Sequence, residues 1–93
     1  MAVLRISAKT NLLITTRTIA GMIHKHKCAE VQALGRFSIR RAEQAIGRAA
    51  TLLEMDGIKI AYKYRVIEPD VDGNEKAGIR FLIRVVEEPI SQP

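Results

Sequence analysis

The spacing of apolar residues switches between a period of two and a period of three to four, and each switch marks an element. In residues 3–7 (Val-Leu-Arg-Ile-Ser), Leu4 and Ile6 fall on one side and Val3, Arg5 and Ser7 on the other, the alternation of a short strand. Thr10 and Asn11 can then cap a helix whose apolar stripe is Leu12, Thr16, Ile19, Ala20 and Ile23, at the spacing of one helical face. This helix should end near Lys27. His24, Lys25, His26 and Lys27 then fall in its last turn, where cations meet the negative end of the helix dipole.

Alternation returns in residues 28–34, with Ala29, Val31 and Ala33 opposing Glu30, Gln32 and Leu34, and stops at Gly35. This is a second strand. Ser38 is the expected N-cap of a second helix, with Ile39, Ala42, Ile46, Ala49 and Leu53 down one face and an end before Asp56-Gly57. Its other face carries Arg40, Arg41, Glu43, Gln44 and Arg48. From Ile58 the period is two again: Ile58, Ile60, Tyr62, Tyr64 and Val66 oppose Lys59, Ala61, Lys63, Arg65 and Ile67. After a polar turn around Asp72-Gly73-Asn74, Ile79, Phe81, Ile83 and Val85 alternate with Arg80, Leu82, Arg84 and Val86. The pattern predicts a long β-hairpin.

The order β-α-β-α-β-β predicts an α/β two-layer sandwich, with two helices on one face of a four-stranded mixed sheet. One domain is expected over residues 1–93, ordered from 3 to 87, with a frayed tail over 88–93 and no internal repeat or linker. The uncovered sheet face would carry Arg5, Gln32, Lys59, Lys63, Arg65, Arg80 and Arg84, a basic surface without aromatic residues.

Charge sharpens this picture. Residues 1–50 hold nine basic and two acidic side chains, residues 51–93 six and eight, for a net charge of +5. Such asymmetry points to an anionic partner for the basic half, and nucleic acid is the commonest for a small domain. An apolar content of 47% does not suit a disordered polycation. Cys28 is the only cysteine, so no internal disulfide or thiolate zinc cluster can form, which suits a reducing cytoplasm. Apolar runs such as Ile19–Ile23 are far shorter than the ~20 residues of a membrane span. Arg5 interrupts the N-terminus too early for a signal peptide, so a cytoplasmic location without membrane contact is expected.

Two parallel strands joined by a right-handed crossover open their following loops on the same sheet edge. The first loop is Ser7-Ala8-Lys9-Thr10-Asn11 and the second Gly35-Arg36-Phe37-Ser38-Ile39-Arg40-Arg41. Both join a helix N-terminus to cationic and hydroxyl side chains, a combination that suits phosphate. Capping alone could account for Thr10, Asn11 and Ser38, but not for Lys9, Arg36, Arg40 and Arg41 on that edge. Gly35 suits a strand-to-helix turn that needs positive φ or close backbone approach.

Other features weigh less. His24 and His26 stand about 200° apart on a helix and cannot easily share a metal, so no metal site is expected. Tyr62 and Tyr64 share a face with Ile58, Ile60 and Val66, which favours core or dimer packing over base stacking. Phe37, between Arg36 and Ser38, could reach a groove or a neighbouring subunit, or be buried against its helix. Gly21 and Gly47 inside helices each cost ~1 kcal/mol, which close packing could offset. No phosphate-cradling glycine loop, metal-ligand spacing or activated nucleophile stands out. Neither catalysis, a cofactor nor a small-molecule substrate is expected.

The segments Arg5-Ile6-Ser7-Ala8-Lys9-Thr10-Asn11, Ala20-Gly21, Ala29-Glu30-Val31-Gln32-Ala33-Leu34-Gly35 and Asp72-Gly73-Asn74-Glu75 resemble the stage V sporulation protein S (SpoVS) family over nearly the whole chain. That family in turn resembles the Alba group of chromatin and RNA-binding proteins, which share this element order and usually dimerise. In Alba-like proteins a lysine in the first strand-helix loop and a Gly-Arg-x-x-x-x-Arg/Lys segment before the second helix contact the nucleic-acid backbone. Lys9 matches the first, and Gly35-Arg36 with Arg40-Arg41 the second. That second loop looks more Alba-like than a typical SpoVS loop.

One departure concerns the hairpin, which Alba-like proteins send towards the minor groove. Here residues 68–76 hold Glu68, Asp70, Asp72 and Glu75 against Lys76, a tip that phosphate would repel. The resemblance therefore implies a bacterial, nucleoid-associated homodimer or higher homo-oligomer that binds DNA or RNA backbone with little sequence preference, as a regulator in sporulation or development. Its contacts would be Lys9, Thr10, Asn11, Arg36, Ser38, Arg40 and Arg41. The alternative is a homo-oligomeric protein-interaction module without nucleic-acid binding. Single-stranded RNA on the open sheet face ranks lower, since that face lacks stacking aromatics.

Overall fold

A computed structural model describes residues 3–69 and 76–86. The elements follow the expected order: β1 (Val3–Ile6), α1 (Leu12–His26), β2 (Cys28–Leu34), α2 (Arg36–Met55), β3 (Ile60–Ile67) and β4 (Gly78–Val85). The four strands form one mixed sheet in the order β1-β2-β4-β3, with β1 parallel to β2 and the other two pairs antiparallel. Both helices pack on the same face of this sheet, as the two-layer sandwich requires. The turn residues Asp70 to Glu75 and the tail 88–93 lie outside the described residues.

The core fills the space between helices and sheet. Ile19 and Ile23 of α1 and Ala42, Ile46, Ala49 and Leu53 of α2 meet Ile6, Ala29, Val31, Ala33, Phe81 and Ile83 of the sheet. Burying each of the larger side chains contributes about 1.5–3 kcal/mol. The first helix is capped as expected: Asn11 Oδ1 accepts from the Ile14 N–H at 2.9 Å. Thr16 completes its buried stripe because its hydroxyl donates to the Leu12 carbonyl at 2.8 Å, which satisfies the one polar atom it takes inside. At the other end Lys27 adopts the left-handed conformation (φ 67°), and its N–H donates to the Ile23 carbonyl, closing the helix.

Four expectations need correction. Ser38 is not an N-cap. Gly35 takes that position at φ 84°, and α2 begins at Arg36, which leaves Ser38 buried inside the first turn. Ile58 belongs to the turn after α2, where its N–H donates to the Leu53 carbonyl, so β3 starts only at Ile60. Lys59 consequently stands outside β3 and lines a small cleft with Ala50 and Glu54 of α2. Gly21 and Gly47 are not close-packing positions, since an added Cβ would meet nothing within 4 Å.

The tyrosines also differ from a core assignment. Tyr62, Tyr64 and Val66 are register partners of Ile83, Phe81 and Ile79, and so lie on the helix-bearing face. They are nevertheless exposed, because the helices cover β1, β2 and β4 and leave the edge strand β3 projecting beyond them. Tyr62 retains an edge-to-face contact with Phe81 at 5.6 Å.

The opposite sheet face is basic, as expected. Cross-strand register sets Arg5, Gln32, Arg80 and Arg65 in one row across all four strands. Lys63 and Arg84 flank that row from β3 and β4, and Glu30 is the carboxylate on this face among the described strand residues. The Arg80 guanidinium donates from Nη2 to Gln32 Oε1 at 3.0 Å, and its Nε lies 3.5 Å from Glu30 Oε2.

Candidate nucleic-acid interface

The parallel pairing of β1 with β2, in register from Val3↔Glu30 to Ile6↔Ala33, brings the carboxyl ends of both strands to one edge. Residues 7–11 and the start of α2 therefore sit side by side. A direct contact joins them: Arg41 Nη2 donates a long hydrogen bond of 3.4 Å to the Ala8 carbonyl. Only the first segment is a true loop. The second is a single residue, Gly35, so Arg36 to Arg41 project from helix rather than from irregular chain.

The first loop is organised by its own hydroxyls. Thr10 donates its N–H to the Ser7 carbonyl at 3.1 Å, and Thr10 Oγ1 accepts from the Ser7 N–H at 2.8 Å. The Lys9 N–H donates to Ser7 Oγ at 3.2 Å. With Asn11 Oδ1 engaged by Ile14, the acceptors of Thr10 and Asn11 hold the turn. Lys9 is left with its exposed side chain as its contribution to a ligand.

Helical geometry sorts the second segment. Arg36 and Arg40 are four residues apart and share one exposed side of α2. Arg41 is half-buried and turned to the first loop. Ser38 is two positions from both Arg36 and Arg40, about 200° round the helix, and it faces inward. The geometry thus groups Lys9, Arg36, Arg40 and Arg41 at one edge and separates Ser38 from them. Phe37 is 64% exposed, which decides against burial, and the Arg36 guanidinium lies 5.2 Å from its ring centroid, a cation–π contact.

The two helix starts differ in a way the sequence pattern did not show. α1 has a side-chain cap, whereas no side chain caps α2. Instead, the Gly35 N–H donates to the Ala77 carbonyl at 2.9 Å, which anchors the return of the hairpin there. This anchor places Lys76 beside the α2 start. Sequence alone assigns Lys76 to the acidic tip, and only the pairing of β2 with β4 relocates it.

His24 has a structural contact: its Nε2 lies 3.1 Å from Asp56 Oδ2, joining the ends of α1 and α2. Among the described residues no group of three His, Cys, Asp or Glu side chains could hold a metal ion. No helix among them is long and apolar enough to cross a membrane.

The chain matches the family model described as stage V sporulation protein S (SpoVS) over residues 2–86. This covers nearly all of its length, and the chain belongs to that family.

Proposed function

We propose that this SpoVS-family protein binds nucleic acid through its phosphate backbone, with little sequence preference, as a regulator in sporulation acting in the cytoplasm or on the nucleoid. The observation that carries the reading is that Lys9, Arg36 and Arg40 are exposed on one edge and have no ion-pair partner among the described residues. Cations held together without a counter-charge repel each other and gain from an anion laid across them. Arg41 aligns the two segments, and Thr10 and Asn11 shape the turn that presents Lys9. The exposed Phe37 ring, with Arg36 over it, provides an apolar surface at the same edge.

A homodimer forms part of the proposal. Tyr62, Tyr64 and Val66 make an exposed apolar strip on an edge strand, beside a groove bounded by Ile39 and Glu43 of α2. Uncovered strips of this kind mark association surfaces, and a two-fold pairing would double the phosphate-binding edge. The same strip is what favours the second reading, in which this surface recognises another protein.

The test is fluorescence anisotropy of labelled DNA and RNA duplexes across a salt series, comparing the natural chain with a K9A/R36A/R40A variant. The expected result is weaker binding by the variant and a log–log salt slope lower by about one for each lost contact. Equal affinity and slope in the two proteins would remove this edge from the mechanism. An absorbance ratio at 260 and 280 nm typical of pure protein, after purification at low salt, would move weight to the protein-interaction reading.

A further inference from the structure

We propose that the cleft at the carboxyl ends of β1 and β2 is a binding site for a single phosphate group, separate from the exposed cationic edge. The cleft has a volume of about 290 Å³ and its polar lining is Arg5, Ser7, Gln32, Ser38 and Lys76. Among the described residues this lining holds no carboxylate, so their electrostatic preference is for an anion.

Three features give the cleft a constructed character. Ser38 is only 8% exposed, lines the cleft, and has no hydrogen-bond partner among the described residues. Its hydroxyl is therefore open to a group that enters the cleft. It sits in the first turn of α2, the helix start that no side chain caps, where the dipole and unpaired N–H groups favour negative charge. Gln32 is oriented by a third residue. Its Oε1 accepts from Arg80 Nη2, which leaves the amide nitrogen, a donor, as its remaining hydrogen-bonding group. Arg80 is therefore a positioning residue acting through Gln32.

Arg5 supplies the charge. It is exposed, is the register partner of Gln32, and has no ion pair among the described residues. Its planar guanidinium can grip a phosphate through two parallel hydrogen bonds. Lys76 closes one side, with its methylenes lying over Gly35. The recognised chemistry is one phosphate group, carried either by a nucleic-acid strand or by a small phosphorylated molecule. The cleft takes Ser38 from the inner side of α2 and its other polar residues from β1, β2, the loop after β1 and the hairpin return, and the proposal does not depend on the Lys9–Arg36–Arg40 edge.

The experiment is a titration of the ¹⁵N-labelled full chain with inorganic phosphate, followed by NMR, against a sodium chloride control of equal ionic strength. Expected are saturable shifts at the Ser38 N–H and the Gln32 side-chain amide. R5Q should weaken phosphate binding about tenfold or more, the scale of a charged hydrogen bond. S38A should weaken it several-fold. Q32E keeps the shape and the Arg80 contact but replaces the donor with a carboxylate, and should abolish binding. K9A/R36A/R40A should leave it intact.

Displacement of phosphate by an oligonucleotide without terminal phosphates supports the site with a strand backbone as the source. Displacement by a 5′-mononucleotide alone supports it with a phosphate monoester as the source. The proposal is overturned if chloride produces the same shifts, if Q32E binds phosphate as the natural chain does, or if only the K9A/R36A/R40A variant loses it.

Discussion

Lys76 lies over Gly35: a Cβ added to Gly35 would stand 3.3 Å from Lys76 Cδ and 3.9 Å from Cε. The contact joins the hairpin to the start of α2, and the hydrogen bond from the Gly35 N–H to the Ala77 carbonyl fixes it. Gly35 also has φ 84° with ψ 154°, a conformation essentially confined to glycine that costs an L-residue about 1–3 kcal/mol. G35A should therefore lower unfolding free energy by about that amount, read as a lower urea midpoint with an unchanged slope. An unchanged midpoint would show that the α2 start tolerates a side chain.

Asn11 and Arg40 separate folding from binding. N11A removes the cap of α1 and should cost about 1 kcal/mol of stability, while the salt slope of nucleic-acid binding stays as it was. R40A should behave in the opposite manner, with unchanged stability and a slope lower by about one. A slope change in N11A would place its amide on the phosphate.

Arg41 should contribute less to that slope than Arg40, because its guanidinium already donates to the Ala8 carbonyl. R41A should reduce affinity mainly by loosening the first loop. In the anisotropy series the expected signature is a loss of affinity that persists at high salt, where the R40A defect fades. Coincident salt curves for R40A and R41A would contradict this division.

The edge strand predicts an association defect. Tyr64 is 65% and Val66 56% exposed, and neither fills the core, so Y64S/V66T should fold normally. If β3 carries the proposed dimer contact, sedimentation equilibrium should find the natural chain dimeric and this variant monomeric at the same concentration. A variant that stays dimeric would move the interface away from β3.

Gly21 and Gly47 offer a stabilising change. Both are exposed within helices, and a Cβ at either meets open space. G21A and G47A should each raise stability by about 0.5–1 kcal/mol, measurable by thermal or urea unfolding. A loss of stability in either variant would mean that this helix face is covered in the assembled protein.

Gly78 shows a stricter requirement. An added Cβ would collide with the Leu34 side chain and stand 2.6 Å from the Ala33 carbonyl. This close approach lets β4, rather than β3, pair with β2 along its full length. Nothing in the alternation of residues 58–86 distinguishes the two hairpin strands as neighbours of β2. The choice falls to β4 because Phe81 and Ile83 can be buried under the helices while Tyr62 and Tyr64, with polar ends, remain at the edge.

Local chemistry in the sequence determined the six elements, the faces that both helices, β2 and β4 bury, the Asn11 cap and the gathering of Lys9, Arg36, Arg40 and Arg41 at one sheet edge. These follow from side-chain period and from the handedness of a parallel crossover, both of which act over short stretches. The tertiary structure decided what depends on distant neighbours. The anchor at Ala77 and the positive φ of Gly35 start α2 three residues before the expected position, and this turns Ser38 by about 200° relative to Arg36 and Arg40, away from the exposed edge. Strand order exposed the tyrosines, and cross-strand register set Arg5 beside Gln32 and Gln32 beside Arg80. Periodicity tells which way a side chain points; pairing between strands far apart in sequence determines what it meets there.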